Sequence, residues 1–152
     1  EHCGVRFALL NYTYGTNGIP VPAGVEVKAN VDIPKDVKNG DYDKVTQEII
    51  SVKRECLNHV LKVIIETCYL TEKEKIAMCR AVTDAGAEYI KTSTGFGTKG
   101  AELADISLFK EYIGDAVRIK AAGGIRTKED MEAFLEAGCE RIGSSSAAEI
   151  MK

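Results

Sequence analysis

Three lysines, Lys62, Lys91 and Lys120, each lie inside a short apolar run and follow one another at equal intervals of 29 residues. An ammonium group inside a buried strand is costly unless its stem packs and its head reaches water, or unless it is there for chemistry. Equal intervals of this size hold one strand and one helix. They suit the repeated βα units of a barrel, in which each strand offers one position to the interior at the same depth. Lysines at one phase of three consecutive parallel strands would bring three ammonium groups together. Like charges at close range lower a pKa, so one of the three becomes a free amine near neutral pH, the condition for Schiff-base chemistry. The alternative is that the strand phases differ and the lysines point among the helices.

The elements around these lysines support the βα reading. Residues 61–67 form a near-continuous apolar run, the pattern of a strand buried on both faces. Strands are also predicted over residues 88–91, 117–121 and 141–143. Helices are predicted over 41–58, with Val45, Ile49, Val52 and Cys56 at helical spacing, and over 71–86, opened by a Thr71/Glu74 capping box. Two more span 103–113 and the stretch from a Thr127/Asp130 cap to Gly138, and a last one begins at Ala147. The alternation of helices with buried strands through short loops makes the strands parallel. Upstream, residues 4–14 and 25–33 read as two further strands, separated by a Gly/Pro loop. The second alternates Val25, Val27, Ala29, Val31 and Ile33 against Glu26, Lys28, Asn30 and Asp32, as an edge or hairpin strand does. Pro34 to Gly40 reads as a break.

Composition excludes several classes. The chain has 152 residues, 45% hydrophobic and 28% charged, with a net charge of −3, which fits one soluble globular domain. There is no Lys/Arg block to hold nucleic acid, and no apolar run approaches the ~20 residues of a membrane span. The N-terminus does not read as a signal peptide. Five scattered cysteines without a C-x-x-C pair suggest neither a disulfide framework nor a zinc site, so the expected compartment is the cytoplasm. Of the two histidines, His59 falls at a helix-to-strand junction and reads as a surface residue.

Two glycine-bearing turns mark a second feature. Ala121-Ala122-Gly123-Gly124-Ile125-Arg126-Thr127 follows one strand, and Gly143-Ser144-Ser145-Ser146 follows the next. Both open onto helix N-termini. Unobstructed backbone N–H groups at a positive helix end form an anion site, and the last two strand–helix loops of (β/α) barrels often hold a phosphate. Ordinary turn chemistry with helix capping is the other reading.

Four runs together resemble the deoxyribose-phosphate aldolase family: Leu61 to Thr67, Lys91-Thr92-Ser93-Thr94-Gly95-Phe96, Lys120 to Thr127, and Arg141 to Ser146. They occur in order, with fitting spacing, from about Gly40 onward. The resemblance implies a (β/α)8 barrel and a class I aldolase that reversibly cleaves 2-deoxyribose 5-phosphate to glyceraldehyde 3-phosphate and acetaldehyde, with no metal or other cofactor. It implies that Lys91 is the Schiff-base lysine, that Lys120 lowers its pKa, and that Lys62 lines the same site. It places the substrate phosphate at Gly123, Gly124, Gly143, Ser145 and Ser146, with Thr94 in the active-site turn.

A full barrel of this type takes about 200 residues or more. The fold expected here is therefore α/β of TIM-barrel type, incomplete, with about six strands against eight and a strand pair at the N-terminus. The whole chain reads as a single domain, with residues 1–33 as the strand pair and 34–152 as the βα units. The family also has an aspartate two strands before its Schiff-base lysine. Gapless counting puts Ala29 at that position, with Asp32 nearby but of opposite strand phase. Three hypotheses follow: an aldolase of this family; a catalytically impaired, truncated relative that only binds a sugar phosphate; and a different Schiff-base enzyme such as a transaldolase-like protein. The expected partner is a small phosphorylated sugar or aldehyde, not nucleic acid or a membrane. Six strands in an open sheet leave two edges, so a homo-oligomer, at least a dimer, is expected.

Overall fold

A computed structural model describes residues 33–56 and 59–150, with side-chain burial from residue 36 onward. The strand pair expected upstream, together with Ala29 and Asp32, lies outside the described residues. Ile33 does not: it was expected to end a strand, and it opens a helix.

That helix, α1 (Ile33–Asn39), occupies the stretch expected to break the pattern. Pro34 sits in the first turn, where a missing N–H loses no intrahelical bond. Asp36 near the start and Lys38 near the end both suit the helix dipole, and Gly40 leaves the helix at φ 80°. So short a helix shows too little apolar periodicity to be recognised. Its Val37 is nonetheless buried in the core.

The remaining described elements are α2 (Tyr42–Cys56), β1 (Lys62–Ile64), a 3-10 turn (Thr67–Tyr69), α3 (Glu72–Asp84), β2 (Tyr89–Lys91), α4 (Leu103–Tyr112), β3 (Arg118–Ala122), α5 (Lys128–Glu136), β4 (Arg141–Gly143) and α6 (Ala147–Ile150). The four strands form one sheet in the order β1-β2-β3-β4, and every adjacent pair is parallel. This is the α/β architecture of consecutive TIM-barrel units, with each strand followed by a crossover helix. Both expected capping boxes are present, Thr71 with Glu74 and Thr127 with Asp130.

The apolar core lies between sheet and helices. Val63, Ile90, Ile119 and Ala121 belong to it, with Val45 and Ile49 of α2, Met78 and Val82 of α3, Ile106 and Phe109 of α4, and Phe134 of α5. Each of these side chains larger than alanine contributes about 1.5–3 kcal/mol on burial. A buried ion pair joins α3 to α4, Lys75 Nζ to Asp105 Oδ1 at 2.5 Å. Burial, reinforced by the nearby Asp105, pushes the Cys79 thiol up to about 12. Side chains alternate along a strand. With these apolar residues on the helix side, Lys62, Tyr89, Lys91, Arg118, Lys120, Arg141 and Gly143 share the opposite face.

Truncating Phe109, fully buried at 0% exposure, to alanine should lower the unfolding free energy by about 3–5 kcal/mol in urea titrations followed by circular dichroism. Leu135→Ala, at a half-exposed position, should change it by less than about 0.5 kcal/mol.

Candidate active site

Strand register decides which charges meet. Lys91 is the last residue of β2, and its partner on β3 is Lys120. On the other side Lys91 pairs with Ile64, while Lys62 pairs with Tyr89. The three lysines therefore share a face, as their spacing implies, but not a depth. Lys91 and Lys120 are level, whereas Lys62 lies one inward-facing position deeper along its strand. Equal intervals in sequence gave equal depth only where the intervening loops and helix did not shift the register.

Burial is the first cause that lowers the pKa of Lys91 below its ordinary 10.5. The Lys120 ammonium lowers it next, Glu66 opposes the shift, and Lys62 adds to it. Lys120 is itself lowered, by burial first and then by Lys62 and Arg141. Two amines are thus shifted toward neutrality in the same place.

Tyr89, one inward-facing position below Lys91, organises the cations around it. Its hydroxyl donates to Glu140 Oε1 at 2.5 Å and accepts from Arg141 Nε at 2.9 Å. Lys62 Nζ lies 5.4 Å from the Tyr89 ring centroid, and the Arg118 and Arg141 guanidinium carbons lie at 5.8 Å and 5.2 Å. The ring quadrupole and the Glu140 carboxylate offset part of the repulsion among these cations.

The turn after Lys91 is held from β1. Thr92 Oγ1 donates to the Ala122 carbonyl at 3.2 Å and accepts from the Ala122 N–H at 3.1 Å, which carries strand pairing past the end of β2. Glu66, predicted inside a strand, adopts the left-handed conformation at φ 51°, ψ 67°. That conformation costs a non-glycine residue about 1–2 kcal/mol and explains why β1 is shorter than its apolar run. The buried Glu66 carboxylate accepts the Thr94 backbone N–H at 3.0 Å and the Thr94 hydroxyl. Thr94 Oγ1 in turn accepts the Phe96 N–H at 3.1 Å, so this hydroxyl is engaged within the protein on both sides.

The glycine turns lie where expected, at the C-terminal ends of β3 and β4. Gly123 and Gly124 both have positive φ, 85° and 76°. A Cβ on Gly123 would stand 3.1 Å from Gly100 Cα, and one on Gly143 would stand 3.2 Å from Lys120 Cε. The first glycine thus admits the β2–α4 loop, and the second makes room for the Lys120 side chain. Ser144 ties the two turns together by donating to the Ile125 carbonyl at 2.7 Å; Ser145 is exposed and Ser146 partly so. At the start of α5 the Arg126 and Thr127 N–H groups already donate to Asp130 Oδ2, each at 3.2 Å. An anion there would have to use the glycine turns rather than these two donors.

His59 is exposed at the α2–β1 junction, as expected. Among the described residues no group of three or more His, Cys, Asp and Glu is placed to hold a metal ion, and no helix is long and apolar enough to cross a membrane. Sequence reasoning missed Glu66, Tyr89 and Arg141 as parts of the site, and placed Ser144 in the anion turn without its bond to Ile125. An acidic residue inside the apolar run 61–67 was the available signal for Glu66. For Tyr89 and Arg141 nothing short of the register would have served.

Residues 23–147 match the family model described as DeoC/LacD family aldolase, and the chain belongs to this family. A curated deoxyribose-phosphate aldolase of Clostridium botulinum (strain Eklund 17B / Type B) is 64% identical over 117 residues, covering 77% of this chain and 53% of that protein. Among solved structures, the aldolase QR15 superposes with a TM-score of 0.71 at 41% identity, over 74% of this chain and 51% of its own. The deoxyribose phosphate aldolase from Aeropyrum pernix, described as tetrameric, gives a TM-score of 0.66 at 29% identity over 72% and 48%. The chain thus spans about half the length of the curated relatives it matches.

The lowered pKa of Lys91 has a consequence for stability. Between its folded value and the ordinary 10.5, the unfolded chain binds more protons than the folded one, so stability rises with pH through that window. Urea midpoints measured across it should rise less steeply in Lys91→Met than in the unsubstituted chain.

Proposed function

We propose that this chain carries the Schiff-base lysine of a deoxyribose-phosphate aldolase. The observation that supports it most directly is the level pairing of Lys91 with Lys120 at a position where burial and the second ammonium both favour a neutral amine. In the proposed reaction the Lys91 amine attacks the aldehyde carbon of open-chain 2-deoxyribose 5-phosphate. Water leaves, and a protonated imine forms. This cation draws the electron pair of the C2–C3 bond as the C3 hydroxyl gives up its proton. Glyceraldehyde 3-phosphate departs, and an enamine remains on Lys91. Protonation of the enamine carbon and hydrolysis then release acetaldehyde and restore the amine. The imine is the electron sink, so this route calls for no cofactor.

In this reading Lys120 keeps Lys91 deprotonated, and Lys62 adds positive potential below them. Gly123, Gly124, Gly143, Ser145 and Ser146 receive the phosphate, and Thr94 shapes the turn over the reacting amine. The tetrameric Aeropyrum pernix relative supports a homo-oligomeric state. The free thiols Cys56, Cys68, Cys79 and Cys139 accord with a reducing cytoplasm.

Incubation with acetaldehyde and borohydride near neutral pH should leave an ethyl group on Lys91 first, located by peptide mass spectrometry, and Lys91→Arg should lose it. Labelling confined to Lys62 or Lys120 would overturn these roles. No Lys91 adduct, with sugar-phosphate binding intact by calorimetry, would favour a relative that binds without cleaving.

A further inference from the structure

Glu66 has features that strand pairing does not require. Its backbone is left-handed, and it is the only non-glycine residue among those described with a positive φ. Its side chain is buried at 4% exposure. It reaches from the end of β1 to the turn after β2, a sequence separation of 28 residues. An observed backbone outlier of this kind, over-determined by its surroundings, supports a hypothesis of function.

The geometry points to Glu66 as the positioning residue for Lys91: its carboxylate fixes the Thr94 end of the turn that follows the lysine. Three observations converge on it. Both Glu66 oxygens lie within hydrogen-bond distance of the Thr94 N–H, at 3.2 Å and 3.0 Å, and Oε2 also accepts the Thr94 hydroxyl. The turn is shaped to admit the carboxylate, because a Cβ on Gly97 would stand 3.0 Å from Glu66 Oε1 and 2.7 Å from Cys68 Sγ. Finally, of the charges acting on Lys91, Lys120 on β3 and Lys62 on β1 lower its pKa, and Glu66 alone raises it. Lys120 in turn feels Lys62 and Arg141 of β4. Glu66 therefore opposes the depression. Burial and two ammonium groups lower the pKa of Lys91, and Glu66 acts against them.

This role rests on Lys91 being the nucleophile, but its test does not require turnover. Lysine labelled with 13C at the ε position reports the titration of Lys91 by NMR, with Lys91→Arg assigning the signal. Amide exchange reports the Thr94 N–H. In Glu66→Gln the Lys91 midpoint should move to lower pH by several tenths of a unit or more, and the Thr94 amide should exchange several-fold faster. Glu66→Gly, which relieves the left-handed backbone while removing the carboxylate, should show the same midpoint shift and a faster-exchanging Thr94 amide. It also serves as the readout should the Gln variant fold poorly. An unchanged Lys91 midpoint in a folded variant would overturn the proposal. So would loss of the native fold in both variants, since Glu66 would then be a folding residue only. Trapping of acetaldehyde on Lys91 in the unsubstituted chain is scored separately. Its failure would count against the aldolase reading, while an unshifted midpoint would count against Glu66.

Discussion

The site depends on one electrostatic constraint: two lysines on adjacent parallel strands are held level by the register of β2 and β3. Neither strand can move far, because each backbone is fixed by ladder bonds and its opposite face is packed in the apolar core. The sheet therefore imposes a repulsion that free chains in water would relieve by moving apart. Folding free energy from the core sustains it, and after burial the Lys120 ammonium is the next cause that lowers the pKa of Lys91.

Other features of the site accommodate this constraint. Gly143 leaves space for the Lys120 side chain. Tyr89 takes up Lys62, Arg118 and Arg141 with its ring and shares its hydroxyl between Glu140 and Arg141. The β2–α4 loop lies against the β3 turn because glycines face each other there, with the Ala101 N–H donating to the Gly123 carbonyl at 3.0 Å. The three turns that rim the site, after β2, β3 and β4, are thus joined by backbone and hydroxyl bonds, as a preorganised pocket requires.

Much of this was legible in the sequence, and for identifiable reasons. Buried parallel strands announce themselves as apolar runs, so β1 to β4 and the lysines within them could be located. Ser/Thr-x-x-acid boxes gave the starts of α3 and α5. The shared phase of Lys62, Lys91 and Lys120 followed from equal unit lengths. Their depths did not, because register depends on loops whose geometry the spacing does not encode, and Lys62 lies deeper. Helix α1 was missed because seven residues with one core side chain carry almost no periodicity. Glu66 was read as strand interior, since nothing in residue type alone distinguishes an acid in a left-handed turn from an acid at a strand end. The family resemblance reached the lysines and glycine turns, but Glu66, Tyr89 and Arg141 took their roles only from the three-dimensional arrangement.

The most direct measurement is the ionisation of Lys91 itself. In the NMR titration of the unsubstituted chain, Lys91 should lose its proton below 10.5, and below the exposed lysines of the same spectrum. In Lys120→Met the Lys91 midpoint should move back up. A Lys91 that titrates with the exposed lysines, and is indifferent to Lys120, would contradict the level pairing on which the proposed chemistry rests.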